Sequence, residues 1–250
     1  MAAEPEERPT GSGPRRGVGV IVPFDFQVDH DVWAYVGDRS TLHLTRTPAI
    51  ADAVVSAELA EAVSSLDEVA DATSRLTPVT DTVFYACTSG SFLGGNAGER
   101  ALVDVMLGAG AARAGTTSGG VRDALAELEV SRVAVVTPYA SDLTDRLVAF
   151  LAENGHTVIR AVGMGLPGDI NAVSGDRLGR LVTEVDSAEA EAVFVSCTGL
   201  ETFELVAPLE AALGKPVLTA NQVTMWAALR LVGGTVSRAA RRQRLFAAYR

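Results

Sequence analysis

The sole cysteines of this 250-residue chain, Cys87 and Cys197, stand in matching surroundings. Val83-Phe84-Tyr85-Ala86-Cys87-Thr88 agrees with Val193-Phe194-Val195-Ser196-Cys197-Thr198 at four of six positions, 110 residues further on. Each copy closes an apolar run and leads through a polar, glycine-bearing turn into a segment of helical spacing. In open parallel sheets, ligands bind beyond the carboxyl ends of the strands. The turn N–H groups and the positive end of the following helix hold a carboxylate there and ease a thiol toward thiolate. Two such thiols on opposite faces of one carbon permit proton removal on one side and proton delivery on the other. They equally permit attack by one sulfur and protonation by its counterpart. A single strand-end cysteine is more often inert packing; the only two cysteines of a chain, in matching contexts, favour chemistry.

Such a site needs parallel strands to carry it. Short, nearly continuous apolar runs recur at Gly17–Val22, Thr41–Thr45, Thr82–Ala86, Arg132–Val136, Thr157–Val162, Ala192–Ser196 and Pro216–Thr219. Strands buried on both faces read this way. Helical spacing fills the intervals: Ala49–Leu66, Ala101–Leu107, Val121–Leu128, Leu143–Leu151, Leu178–Val185, Phe203–Leu213 and Val223–Val232. Strand alternating with helix predicts an α/β protein with parallel sheets. The internal echo predicts two pseudo-symmetric, Rossmann-like (flavodoxin-like) lobes with the active site between them. Their expected extents are 17–118 with 220–250 for the first lobe and 119–219 for the second, after a disordered tail over 1–16.

Composition narrows the partners. The formal net charge of −10 opposes nucleic acid and anionic membranes. No apolar run approaches the roughly 20 residues that span a bilayer, and the N-terminal stretch lacks the apolar core of a signal peptide. Two cysteines without a disulfide framework predict a reducing, cytoplasmic setting. His30, His43 and His156 are scattered, so no metal site is expected. The basic run Arg238, Arg241, Arg242, Arg244 and Arg250 reads as a solvated segment, and subunit contact through it leaves homo-oligomerisation open.

The chain resembles the Asp/Glu racemase superfamily, in the branch holding maleate cis-trans isomerase and arylmalonate decarboxylase. The resemblance lies in Gly17-Val18-Gly19-Val20-Ile21-Val22-Pro23, Cys87-Thr88-Ser89, Thr137-Pro138-Tyr139, Asn171 and Ser196-Cys197-Thr198-Gly199-Leu200. It covers about residues 17–233 in the family's order. It implies that Cys87 is a nucleophile or base and Cys197 a proton donor or acceptor, with no cofactor. Thr88, Ser89, Tyr139, Thr198 and Gly199, together with Asn171, are implied holders of a substrate carboxylate or enolate. Arylmalonate decarboxylase has glycine at the first cysteine position, so Cys87 favours isomerisation or racemisation over plain decarboxylation. The expected substrate is a small carboxylic acid. Maleate-type isomerisation through a Cys87 adduct, decarboxylation, and a non-catalytic ligand-binding role are the alternatives.

One departure bears on specificity. Maleate isomerases carry a polar Ser/Asn-rich loop after the first strand. Here the sequence is Pro23-Phe24-Asp25-Phe26, followed by Asp29-His30-Asp31-Val32-Trp33. An acidic, aromatic loop suits a cation better than a second carboxylate. This loop, with Leu42-His43-Leu44-Thr45-Arg46-Thr47-Pro48, resembles the ectoine-utilisation proteins of the branch, which implies a substrate carrying both a carboxylate and an ammonium or amidinium. Packing of the rings in the core and helix capping by Asp25 are the plain alternatives. Gly163-Met164-Gly165-Leu166-Pro167-Gly168 formally matches a dinucleotide-binding fingerprint, with Asp186 near the ribose position. Pro167 disfavours a tight phosphate turn, so this stretch is expected to form a loop that brings Asn171 toward the site.

Overall fold

The computed structural model describes residues 15–247 and Tyr249. The expected tail therefore lies outside the described residues except at Arg15 and Arg16, as does Arg250. Two four-stranded parallel sheets make up the fold. The first holds β1 (Arg16–Val22), β2 (Ser40–Arg46), β3 (Thr82–Tyr85) and β4 (Ala114–Thr116) in the order β2-β1-β3-β4. The second holds β5 (Arg132–Thr137), β6 (Thr157–Gly163), β7 (Ala192–Val195) and β8 (Val217–Thr219) in the order β6-β5-β7-β8. The two orders are identical in topology, as the echo predicts, and β3 and β7 stand 110 residues apart at both ends.

Strand alternation explains how each sheet is covered. Phe84 and Phe194 point into a core shared by the sheets, together with Val18, Val20, Val133 and Val135. Their neighbours Val83 and Tyr85 face outward beneath α3 (Leu66–Leu76) and α5 (Gly95–Gly108). Val193 and Val195 face outward beneath α8 (Gly175–Val185) and α9 (Phe203–Leu213). The central strands are thus buried on both faces, which is why they read as continuous apolar runs. Gly17 is required by this packing: a Cβ there would sit 2.5 Å from the Val79 carbonyl oxygen at the end of the α3 connection.

The shared core is completed by α6 (Thr117–Glu127) and α10 (Ala220–Val232). Helix α10 leaves β8 of the second sheet and packs on α6, β1 and β3. Thr219 caps it, accepting from the Gln222 N–H while the Gln222 side chain accepts from the Thr219 N–H. The remaining helices are α1 (Asp29–Trp33), α2 (Ala57–Val63), α4 (Thr88–Phe92), α7 (Ser141–Glu153) and α11 (Arg244–Ala247).

Two expectations fail. The helix expected over Ala49–Leu66 is instead an irregular stretch to Val55 followed by α2, broken at Ser64 and Ser65 before α3. Ser56 starts α2 by accepting from the Leu59 N–H, and Asp52 adopts φ 51°, outside the helical region. Strand β4 has only three residues and no apolar run, so nothing in the periodicity announces it.

Candidate active site

The switch points of the two sheets face each other. The loop after β1 and the turn after β3 come from one, and the loops after β5 and β7 from the other. The strands stay parallel, but the winding order reverses between β1 and β3 and between β5 and β7, which opens a crevice at their carboxyl ends. Between the sheets lies one cavity of about 460 Å³. Cys87 and Cys197 both line it, and both thiols are free. Pro23, Phe24, Asp25, Thr88, Ser89, Tyr139, Asn171, Thr198 and Gly199 also line it.

Cys87 is the N-cap of α4, with extended backbone (φ −135°, ψ 115°), and its Sγ lies 3.6 Å from Ser89 Oγ. Burial pushes its thiol pKa up, opposed by the Gly90 N–H and the Ser89 and Tyr85 hydroxyls; the Asp25 charge adds to the rise. Gly90 is needed beside it, since a Cβ would approach Tyr85 Oη to 2.5 Å. Tyr85 in turn donates to the Val63 carbonyl at 2.9 Å and fastens α2 against the site. The Thr88 hydroxyl is buried and has no hydrogen-bond partner. Buried hydroxyls are seldom left without a partner.

Cys197 is held differently. Its φ is 92°, a left-handed conformation that costs a non-glycine residue about 1–3 kcal/mol. Burial pushes its thiol to about 12; the Gly199 N–H and Tyr139 hydroxyl oppose this, while Cys87 and Asp25 add to it. Tyr139 is buried, packs edge-on to Phe92 and accepts a long 3.5 Å bond from Ser196 Oγ. The two cysteine turns touch directly: Thr198 Oγ1 donates to the Ala86 carbonyl at 3.1 Å. The Thr198 hydroxyl is therefore used in joining the lobes.

The charge on the walls is one-sided. Asp25 and Asp169 line the cavity, and among the described residues no lysine or arginine does. Opposite them stands an apolar wall that sequence reading missed: Ile50, Ala53, Val55, Leu59, Ala60 and Val63. Leu59, Ala60 and Val63 lie on α2, whereas Ile50, Ala53 and Val55 lie in the irregular stretch before it, where their spacing imitates a helix face. Residues 168–171 close another side, so the glycine-rich stretch is a site loop as expected; α8 begins only at Gly175, which rules out a phosphate turn joined to that helix. Asn171 lines the cavity but its Nδ2 donates to Gln27 Oε1 at 3.0 Å, bridging the lobes. The acidic-aromatic stretch divides. Only 23–27 reaches the cavity; Asp29 pairs with Arg46 at 2.7 Å, and Asp31 is buried between the lobes. Among the described residues no cluster of His, Cys, Asp or Glu has the form of a metal site, and no helix is long and apolar enough to cross a membrane.

The family profile for arylmalonate decarboxylase matches residues 50–246. The chain belongs to this family. It is 34% identical over 152 residues to the arylmalonate decarboxylase of Bordetella bronchiseptica, a match covering 59% of this chain and 63% of that one. It thus spans just under two thirds of that relative's length. Maleate isomerase of Nocardia farcinica is 26% identical over 231 residues, covering 86% of this chain and 89% of the relative. Among solved structures, a liganded double mutant of arylmalonate decarboxylase superposes with a TM-score of 0.83 at 28% identity, over 92% of this chain and 99% of that one. The Nocardia farcinica maleate cis-trans isomerase, in a cysteine-to-serine mutant carrying a covalently bound succinylcysteine intermediate, shares the fold at a TM-score of 0.80 and 22% identity, covering 92% of this chain and 98% of that one. These relatives place the chain in the Asp/Glu racemase branch that the two cysteines announced.

Proposed function

We propose that this protein is a cofactor-independent isomerase or racemase acting at the carbon next to a carboxylate, with Cys87 and Cys197 as its two proton carriers. The observation that carries this reading is two free thiols from two lobes on one cavity, each at the end of the third strand of its sheet. Cys87, as thiolate, takes the α-proton; the electron pair passes into the carboxylate as an enediolate; Cys197 returns a proton to the opposite face. Reversal exchanges the roles. Negative charge on the enediolate is the main barrier, and prearranged donors lower it. The unpartnered Thr88 hydroxyl, Ser89, the Tyr139 hydroxyl and the N–H groups of Thr198 and Gly199 are the donors on the walls.

The substrate is a small zwitterionic acid, with ectoine or hydroxyectoine breakdown as its source. Asp25 and Asp169, unopposed by any basic group on the walls, support a cationic partner. Asp25 also holds both thiols up. An ammonium or amidinium seated beside it offsets that charge and eases Cys87 toward the thiolate, so the correct substrate activates its own base. The second reading is cis-trans isomerisation of a maleate-type diacid: the Cys87 sulfur bonds to one alkene carbon, Cys197 protonates the other, the new single bond rotates, and elimination reverses both steps. The covalent adduct of the Nocardia farcinica relative supports it. The test is incubation of candidate zwitterionic acids and diacids in deuterated water. Deuterium at Cα of a zwitterionic acid supports the first reading, and conversion of maleate without it supports the second. Binding without either outcome leaves a non-catalytic ligand-binding protein.

A further inference from the structure

A buried carboxylate with no cationic partner sits behind the Cys197 turn. Asp31, in α1 of the first lobe, is 1% exposed. Its Oδ1 accepts from the N–H groups of Thr202 at 2.8 Å and Phe203 at 2.7 Å, at the start of α9 in the second lobe. Its Oδ2 accepts from Asn221 Nδ2 at 2.8 Å. Asn221 is equally buried at the start of α10, and the same amide donates to the Thr198 carbonyl at 3.1 Å and the Leu200 carbonyl at 3.2 Å. These two carbonyls belong to the turn that carries Cys197.

Two features set this pair apart from ordinary packing. Asn221 Oδ1 is buried and has no partner. An unsatisfied buried oxygen costs stability, a cost set against the bonds its Nδ2 makes to Asp31 and to the Thr198 and Leu200 carbonyls. The held turn is strained at its first residue, with Cys197 at φ 92°. The corresponding turn after Cys87 has neither the strain nor a carboxylate behind it, because α4 begins one residue after the thiol. Backbone strain persists only where the surroundings over-determine it. Here the restraint comes from the other lobe.

We propose that Asp31 and Asn221 are positioning residues for Cys197, clamping the 197–203 turn across the lobe junction so that its thiol is held in the strained backbone geometry and aimed into the cavity. This rests on the reading of Cys197 as a reacting group. The same clamp makes the geometry of one cysteine depend on contact between the lobes.

The experiment is alkylation of the intact protein by iodoacetamide at fixed pH, with the rates at Cys87 and Cys197 read separately by peptide mass spectrometry. Asp31→Asn sets an amide donor against the Asn221 amide. Asn221→Ala removes the donor to both carbonyls, together with the orphaned oxygen. In each variant the turn relaxes, Cys197 gains water, and its alkylation speeds up about tenfold, the effect of one pKa unit on the thiolate population. Cys87 stays within about twofold of the parent rate, well inside that one-unit effect. A purely structural clamp predicts something else: both cysteines speed up together, or neither does, whatever happens to the melting temperature. Either result overturns the proposal. Loss of folding in both variants also overturns it, because the pair is then an element of the fold rather than of the turn. Failure of the two-cysteine reading is seen separately, as full racemisation that survives Cys197→Ala, whatever the alkylation rates in the Asp31 and Asn221 variants.

Discussion

The turns carrying Cys87 and Cys197 begin alike and end differently. Both reach their Cys-Thr pair two residues after the third strand of a four-stranded sheet. After Cys87 the chain enters α4 at once, with the thiol at the N-cap in relaxed extended backbone. After Cys197 it winds for five residues before α9 begins at Phe203, and the cysteine itself takes φ 92°. The first turn is self-supporting: Ser91 Oγ lies 2.8 Å from the Cys87 carbonyl and 2.9 Å from that of Thr88. The second leans on Asp31 and Asn221. Duplicated topology thus delivers two thiols to one place while the turns that hold them differ. Burial raises both thiols, Cys197 to about 12, and each is opposed by one N–H group and by one or two neighbouring hydroxyls.

The largest expected effect tests that arrangement. Replacing either cysteine by alanine removes a general acid or base, worth about 10²–10⁴-fold in rate. Cys87→Ala is expected to abolish exchange at Cα. Cys197→Ala is expected to abolish racemisation while Cys87 still exchanges one enantiomer, measured by deuterium wash-in on each enantiomer separately. Full activity in either single variant would show that the cysteines only pack.

Asp25 comes next, since its charge acts on both turns at once. Asp25→Asn is expected to lower both thiol pKa values, because one contribution to each rise is gone while burial remains. Alkylation at fixed pH then speeds up several-fold at both cysteines. In binding titrations the preference for a zwitterionic acid over maleate narrows, since a carboxylate a few ångströms from a dianion repels it by about 4 kcal/mol at an effective dielectric of 20. If both alkylation rates and the preference stay fixed, Asp25 does not set specificity.

How far these features were legible depends on whether the signal is local. Strands β1, β3, β5 and β7 were readable because burial on both faces leaves an apolar run. The paired cysteines were readable because duplication repeats a hexapeptide. Residues 50–63 misled, since an apolar cavity wall selects the same residue types as the buried face of a helix, and Ile50, Ala53 and Val55 met a cavity instead of a core. The Asp31–Asn221 contact spans 190 residues and leaves no mark in either segment. Asp31 was read as part of a cation-binding loop because its sequence neighbours are acidic and aromatic. The structure turns it away from the cavity into the lobe junction, where N–H groups at the start of α9 accommodate it.

The pH dependence of stability sharpens the contrast at smaller scale. The Cys197 thiol is at about 12 in the folded protein and near 8.5 in an unfolded chain. Between these values the folded state keeps a proton that the unfolded state has lost. The sign is therefore a falling unfolding free energy as pH rises, beginning near 8.5 and ending near 12. The slope from this thiol is at most about 1.4 kcal/mol per pH unit, and its partial exposure in the cavity reduces it. Urea unfolding at pH 8 and pH 10 should show the loss, and Cys197→Ser should flatten it. An unchanged slope would mean that the thiol is hydrated in the folded state.

The smallest effect separates two roles for Asn171. The family resemblance makes it a substrate-gripping residue, whereas its amide donates to Gln27 Oε1 across the cavity mouth. A second bond nearby, from the Val55 N–H to the Pro167 carbonyl at 2.9 Å, ties the same 163–171 loop to the stretch between β2 and α2 through backbone alone. The side-chain bond is exposed, so its net worth is about 0.5–1.5 kcal/mol at most. If it serves as a latch, Asn171→Ala and Gln27→Ala should each weaken binding of the acid identified by the exchange screen by a few-fold, leaving the rate at saturation unchanged. The double variant should then be no weaker than either single one, because residues sharing one interaction are not additive. If Asn171 grips the substrate instead, Asn171→Ala weakens binding and Gln27→Ala does not, and the two effects are independent. A double-variant titration therefore decides whether the loop at 168–171 belongs to the chemistry of the Cys197 side or only to the closure of the cavity over it.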